Sequence, residues 1–326
     1  MGFDDIPKIE KYDWYLDLAF SRARKASSKA KSESRNGGRV ETVKDGELAR
    51  VKEIRRVLSR HLIMMLKSFP GLDDLTEFYN ELVRATLDYS ELKKSLGAVN
   101  WARKRIEDLS RDADIKLKKT QHMRKLSDYS SEYYGRVSSV MKQIKKQLVY
   151  LDQARMVMRD FPSIKSGLYT IAIAGFPNVG KTTLLTKLTV SRPEIAAYAF
   201  TTKKLNVGYA NFGEEKVQFI DTPGTLDRYD KMNSVEKQAH LAVKYCADLV
   251  VFVIDISDTS YDLKKQKKLF EDTNELGKDV IVYVSKTDIA DVPDGLADYF
   301  KKIKIPFIKD IETLKSEISL IMNVSK

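Results

Sequence analysis

Gly175 to Thr182 read GFPNVGKT, placed between the apolar run YTIAIA and the segment LLTKLTV. Few folds accept that arrangement. The paired glycines let the main chain close into a tight loop whose N–H groups point inward, and a helix starting at the second glycine adds the positive end of its dipole. Such a loop cradles a phosphate. Lys181 offers a point charge to a β- or γ-phosphate, and the Thr182 hydroxyl is placed to ligate Mg²⁺. Gly175, Pro177, Asn178, Val179, Gly180, Lys181, Thr182 and Thr183 make up the predicted cradle. Because the motif needs a strand before it and a helix after it, this half of the chain is committed to a parallel sheet with crossover helices.

The rest of that half agrees. KVQFIDT, DLVVFVID and KDVIVYVS are short, β-branched and apolar almost without interruption, as parallel strands covered on both faces must be. TTLLTKL, SVEKQAHLAVKYC and YDLKKQKKLFEDTNELG alternate with them as helices, and KLNVGYANFG followed by KVQFIDT predicts a hairpin. Residues 168–326 therefore read as a doubly wound α/β domain.

Residues 1–167 change period. Leu48, Val51, Ile54, Leu58, Leu62 and Met65 recur at three- and four-residue steps, and Leu75, Phe78, Leu82 and Ala85 continue the pattern after the break at Phe69-Pro70-Gly71. Val137, Met141, Ile144, Leu148 and Leu151 repeat it as the seam of an antiparallel helical bundle. A first helix is predicted near residues 9–25, followed by an exposed loop over SSKAKSESRNGGRVETVKDG. The expected architecture is thus multi-domain, α followed by α/β.

Charge divides the chain in the same place. Residues 1–168 hold 35 Lys and Arg against 24 Asp and Glu, whereas residues 169–326 hold 22 of each, so the whole net charge of +11 lies ahead of the cradle. It either solvates long helices or meets a polyanion. Arg103, Lys104 and Arg105, then Lys116, Lys118 and Lys119, then Arg124 and Lys125, then Lys142, Lys145 and Lys146, are spread over helices in a way that suits phosphates along a folded RNA. Tyr129, Tyr133 and Tyr134 read as packing or surface residues before base-stacking ones, and His61, His122 and His240 lack metal-ligand spacing. Cys246 reads as a packed thiol. An acidic start, MGFDDIPKIE, and no run near membrane-spanning length point to a cytoplasmic monomer with neither a membrane nor DNA as partner.

Three further elements turn a phosphate cradle into a guanine-nucleotide switch. Asp221-Thr222-Pro223-Gly224 follows a strand, so Asp221 can reach Mg²⁺ through water while the Gly224 N–H senses the γ-phosphate. AAYAFTTK offers Thr201 or Thr202 as the Mg²⁺ ligand that engages only with GTP, and Thr202 is preferred. Ser285-Lys286-Thr287-Asp288 stands where the usual base signature is Asn-Lys-x-Asp; Asp288 can accept from guanine N1 and N2 and the Lys286 stem can cover the ring, but Ser285 loses the amide. No Ser-Ala base motif follows the strand KIPFI, where the chain reads Lys309-Asp310-Ile311.

GFPNVGKTTL, YAFTTK and DTPGTLDR with NSVEKQAHLA resemble the G-domain segments of the Obg-related nucleolar GTP-binding proteins. FYNELVRATLDYSELKKSLGAVNWARKRIEDLSRD resembles the amino-terminal helical signature of that family, which is the more discriminating match. The likeness runs over most of residues 5–320 and leaves out the family's large carboxy-terminal extension, as in short, archaeal-like members. It implies a P-loop GTPase that assembles the large ribosomal subunit or its precursor, with GTP or GDP and Mg²⁺ as ligands and low intrinsic turnover. It also implies a catalytic departure: Thr225 stands where many GTPases carry a water-orienting Gln and this family an aliphatic residue. In relatives with x-P-N-V-G-K the Asn ligates K⁺, so Asn178 either holds such an ion or only hydrogen-bonds within its loop. Lys181, Thr202, Gly224 and Asn178 are then the catalytic set. Two rival readings stand beside this one: a structural rRNA-binding protein with a weakened nucleotide site, and a regulatory GTPase with a non-ribosomal protein partner.

Overall fold

The structure is a computed structural model that describes residues 3, 5–34, 38–189, 205–222, 234–257 and 261–324. The chain separates into two compact units, residues 2–74 with 87–159, and residues 75–86 with 160–326. The first is helical: α1 (Tyr12–Glu33), α2 (Arg39–Ser68), α4 (Tyr89–Lys119), α5 (Met123–Gln143) and α6 (Lys145–Arg159). Its core is the stripe read in the sequence, with Val51, Ile54, Leu58, Leu62 and Met65 of α2 buried against α1 and α4. Val137, Met141, Ile144, Leu148 and Leu151 are buried as well, but the helix breaks at Ile144, whose ψ of 10° interrupts the ladder between α5 and α6.

The exposed loop expected over residues 27–46 is a correction. α1 continues to Glu33 and α2 begins at Arg39. The serines that argue for a loop are absorbed by the helix: Ser28 and Ser32 donate to the Arg24 and Lys29 carbonyls at 3.1 and 2.7 Å, and Ser27 is buried. α1 packs along α2 and buries Ala19 and Ala23, and that burial outweighs the serines' weak propensity.

The second unit is a six-stranded sheet in the order β2-β3-β1-β4-β5-β6, built from β1 (Tyr169–Ala174), β2 (Asn206–Phe212), β3 (Glu215–Asp221), β4 (Leu249–Asp255), β5 (Asp279–Ser285) and β6 (Phe307–Ile308). Among the described strands, only the predicted hairpin β2–β3 is antiparallel. Strand residues alternate between two apolar layers. Ile171, Ile173, Phe219, Val251 and Val253 meet α7 (Lys181–Leu188) and α11 (Ile311–Val324), while Ala172, Ala174, Phe252, Ile254 and Val282 meet α8 (Ser234–Cys246), α9 (Leu263–Asn274) and α10 (Leu296–Lys302). Burial on both faces explains the uninterrupted apolar runs. Each fully buried Phe or Ile side chain contributes roughly 1.5–3 kcal/mol.

One helix crosses the expected boundary. α3 (Glu77–Thr86) lies in the sequence of the helical half yet packs on α8. The Tyr79 hydroxyl donates to the Pro162 carbonyl at 2.9 Å and accepts from the Ile164 N–H at 3.0 Å.

Candidate functional site

The cradle joins β1 to α7, and its glycines are dictated by geometry. Gly175 has φ 141°, and a Cβ there would lie 2.5 Å from the Val253 carbonyl oxygen, so no other residue fits. Gly180 (φ 98°) makes the left-handed turn into α7. Asn178 also sits at positive φ, 65°, on the exposed crest of the loop, a conformation Asn tolerates better than other side chains. Pro177 is half-buried, Val179 is anchored in the core, and Thr183 is exposed in the first turn of α7. Lys181, only 7% exposed, folds back over the loop and donates to the Phe176 carbonyl at 2.7 Å. Burial pushes its amine down to about 8, and the Asp221 carboxylate offsets only part of that.

Beside the lysine, two strand ends and α7 bring oxygen donors together. The Thr182 hydroxyl donates to Asp221 Oδ2 at 2.6 Å, and the Asn206 amide donates to the same oxygen at 3.2 Å. Among the described residues, Asp221 Oδ1 is buried with no hydrogen-bond partner, and burial raises this carboxyl above its ordinary range. An orphaned carboxylate oxygen next to a threonine hydroxyl suits a hard divalent cation, which takes oxygen ligands. Thr222 pins this corner, its N–H and Oγ1 both donating to the Ile173 carbonyl at 3.1 and 2.8 Å.

On the other side of the loop, Ser285 is buried at the end of β5 and donates to the Ile254 carbonyl at 3.2 Å. Lys286 holds φ 58°, a strain on the order of 1 kcal/mol for a side chain of its kind. Its ammonium meets Asp255 Oδ2 at 2.6 Å. Burial alone would raise the Asp255 carboxyl, but Lys286 and Ser257 outweigh it and hold it below the usual range. Asp288 is exposed in the turn that follows. Asp255 and Asn206 are the site residues the motifs do not announce; the signal for Asp255 is a lone carboxylate closing an otherwise apolar run, at the strand end where open α/β sheets bind ligands.

Thr201, Thr202, Gly224 and Thr225 lie outside the described residues. In the helical unit, Lys104, Lys119, Lys142, Lys145 and Lys146 are exposed and, among the described residues, have no ion-pair partner. Arg103 and Lys118 are engaged by Glu107 and Asp114 at 2.9 and 2.7 Å. Tyr133 and Tyr134 pack as expected: Tyr133 bonds to Ser110 at 2.9 Å, and Tyr134 donates to Glu47 and meets the Phe20 ring edge-on. Burial pushes the Cys246 thiol up to about 12. No cluster of His, Cys, Asp and Glu able to hold a metal occurs among the described residues, and no helix among them is long and apolar enough to cross a membrane.

Residues 3–165 match the profile of the NOG1 N-terminal helical domain. The chain belongs to the nucleolar GTP-binding protein 1 family. Residues 170–286 match the profile of a 50S ribosome-binding GTPase. Family relatives include an uncharacterized protein of Methanocaldococcus jannaschii, 37% identical over 74% of this chain and 69% of its own length. Nucleolar GTP-binding protein 1 of Kluyveromyces lactis is 32% identical over 93% of this chain and 47% of its own. The chain spans about half the length of the curated relatives of that name. Among solved structures, the G domain of the T. maritima FeoB iron transporter aligns with 46% of this chain and 96% of its own at 29% identity and a TM-score of 0.39. The fold class read from the sequence, a helical domain followed by a P-loop GTPase domain, holds.

Proposed function

We propose that the chain binds and hydrolyses GTP and acts in assembly of the large ribosomal subunit, holding pre-ribosomal RNA through its helical unit. The observation that carries this reading is the corner where Lys181 closes over the cradle while Thr182 and Asp221 are already hydrogen-bonded at 2.6 Å. A nucleotide's β- and γ-phosphates would displace the Phe176 carbonyl as the Lys181 partner and restore the charge that burial disfavours. Thr182 and Asp221 would hold Mg²⁺, directly and through water, and Thr202 and the Gly224 N–H would report the γ-phosphate. Mg²⁺, when bound, supplies charge neutralisation along the triphosphate. Lys286 and Asp288 would select guanine, with Ser285 completing the turn. At the Asn178 side chain, a K⁺ would provide the electrostatic help that Thr225 cannot. The relatives named as nucleolar GTP-binding proteins and the charge split support the ribosomal part, with Lys104, Lys119, Lys142, Lys145 and Lys146 meeting RNA phosphates and Arg103 and Lys118 joining them by exchanging their carboxylate partners. The protein would work in the cytoplasm.

The test is titration calorimetry of GDP and ADP with Mg²⁺ on the wild type and Asp288→Asn. GDP is expected to be preferred, with the preference lost in the variant; equal affinity for both nucleotides overturns the guanine reading. Turnover is expected to rise in K⁺ over Na⁺ at matched ionic strength, and equal rates remove Asn178 from the catalytic set. Co-sedimentation with large subunits checks the partner.

A second reading draws on Ser285, whose hydroxyl is engaged by a backbone carbonyl: a structural RNA-binding protein with a weakened nucleotide site. Under it, Lys181→Ala leaves subunit assembly intact, whereas the switch reading expects stalled particles.

A further inference from the structure

Two strand ends meet on the base side of the cradle. Asp255 closes β4, Ser285 closes β5, and the two are register partners in the parallel pair. The usual base signature opens with Asn, and here the shorter Ser285 directs its hydroxyl to the Ile254 carbonyl, within the sheet. The turn nevertheless abuts the cradle, since a Cβ on Gly180 would lie 3.7 Å from Ser285 Cβ.

Lys286 does not simply run out into solvent. Its positive φ turns the side chain back across the strand ends until the ammonium reaches Asp255 Oδ2 at 2.6 Å. The acceptor is immobile. The Asp255 side chain is fully buried, its other oxygen accepts from the Ser257 N–H and hydroxyl at 2.9 and 2.7 Å, and Gln266 holds the Asp255 N–H and carbonyl at 2.9 and 2.8 Å. With one carboxylate oxygen held by two bonds from Ser257 and the backbone of the same residue held by two more with Gln266, the lysine must come to the carboxylate. The four-carbon stem of Lys286 is then laid along one path beside the turn that ends in Asp288.

We infer that Asp255 is a positioning residue for the base site: it lays the Lys286 stem where a guanine ring would stack, replacing the anchor lost with Asn and so allowing Ser285 to open the signature. This rests on the guanine-nucleotide reading above. Asp255 acts through Lys286 and does not itself touch the ligand.

The test uses the full chain and two probes, Mg²⁺-GDP and Mg²⁺-pyrophosphate, the second reporting the cradle without a base. Affinities are measured by calorimetry for the wild type, Asp255→Asn, Ser285→Asn and the double variant, with thermal unfolding alongside. Asn keeps the shape of Asp255 and its bonds from Ser257. Asp255→Asn is expected to weaken GDP about tenfold, with pyrophosphate binding unchanged. Ser285→Asn is expected to recover most of that loss in the double variant. Four outcomes overturn the inference: GDP affinity unchanged in Asp255→Asn; tighter GDP, which would make the ion pair a restraint on the lysine; equal losses for both probes with a lowered melting temperature, which would leave Asp255 a role in the fold alone; or no recovery in the double variant. A wild type that binds pyrophosphate but not GDP overturns the guanine reading with it, whereas failure confined to the variants leaves that reading standing.

Discussion

Lys181 and Lys145 are each the first residue of a helix, α7 and α6, and they live in opposite surroundings. Lys181 is buried on a backbone carbonyl with its amine pushed down to about 8; Lys145 stands in solvent beside Lys142 and Lys146 at the break around Ile144. A cation at a helix start faces the positive end of the dipole and gains nothing locally, so neither is there to steady its helix. The difference lies in how each charge would be used. The cradle concentrates one desolvated charge beside a glycine, Gly175, that no other residue can replace, so its contribution is large and indivisible. The basic helices spread exposed charges, whose contributions are small, salt-sensitive and nearly additive.

That contrast can be broken from either side. Lys181→Ala is expected to cost about a thousandfold in GDP affinity, ~4 kcal/mol, with RNA binding unchanged; calorimetry and filter binding on the same sample check both halves. Gly175→Ala forces a Cβ onto the Val253 carbonyl oxygen and is expected to lower stability by about 3 kcal/mol, read by chemical denaturation. The buried amine gives a pH signature of about the same size. Because the folded pKa of Lys181 lies below its ordinary 10.5, the native state binds fewer protons; the cost of burying the charge is complete below pH 8 and is relieved as pH rises from 8 to 10.5. Nucleotide-free protein should therefore gain stability across that window relative to Lys181→Met, and Lys181→Met should be the more stable of the two at pH 7, by on the order of 3 kcal/mol. Smaller still, replacing Lys142, Lys145 and Lys146 together with Gln is expected to weaken RNA binding about tenfold and to flatten its salt dependence by about 2–3 charges, with GDP affinity untouched. Lys145→Gln alone should shift RNA affinity only about two- to threefold; a tenfold effect from that one residue would mean the helical unit too has a built pocket.

The cradle was legible because its chemistry is local: the loop geometry, the lysine and the hydroxyl are consecutive residues. The same holds for the β-α alternation, where burial on both faces leaves its mark on each strand separately. The features that escaped depend on what packs against what. Ser27 to Glu33 read as a loop because Ser and Lys are poor evidence for a helix until α2 is there to bury Ser27. Asp255 gave no sign beyond ending its strand, since its meaning comes from Ser285 and Lys286 on the neighbouring strand. The break at Ile144 left the apolar spacing intact, so periodicity alone could not report it.

α3 carries a consequence for how the protein is made. Tyr79 leaves a translating ribosome 85 residues ahead of Ile164, the partner whose N–H it accepts. At roughly 5–20 residues per second, the apolar side of α3, with Phe78 and Leu82, waits on the order of ten to thirty seconds for α8 to emerge. The second unit therefore cannot be completed by vectorial synthesis from its own contiguous segment, and an excised fragment beginning at residue 168 would start life with the α8 surface uncovered, prone to self-association until residues 75–86 are supplied in trans.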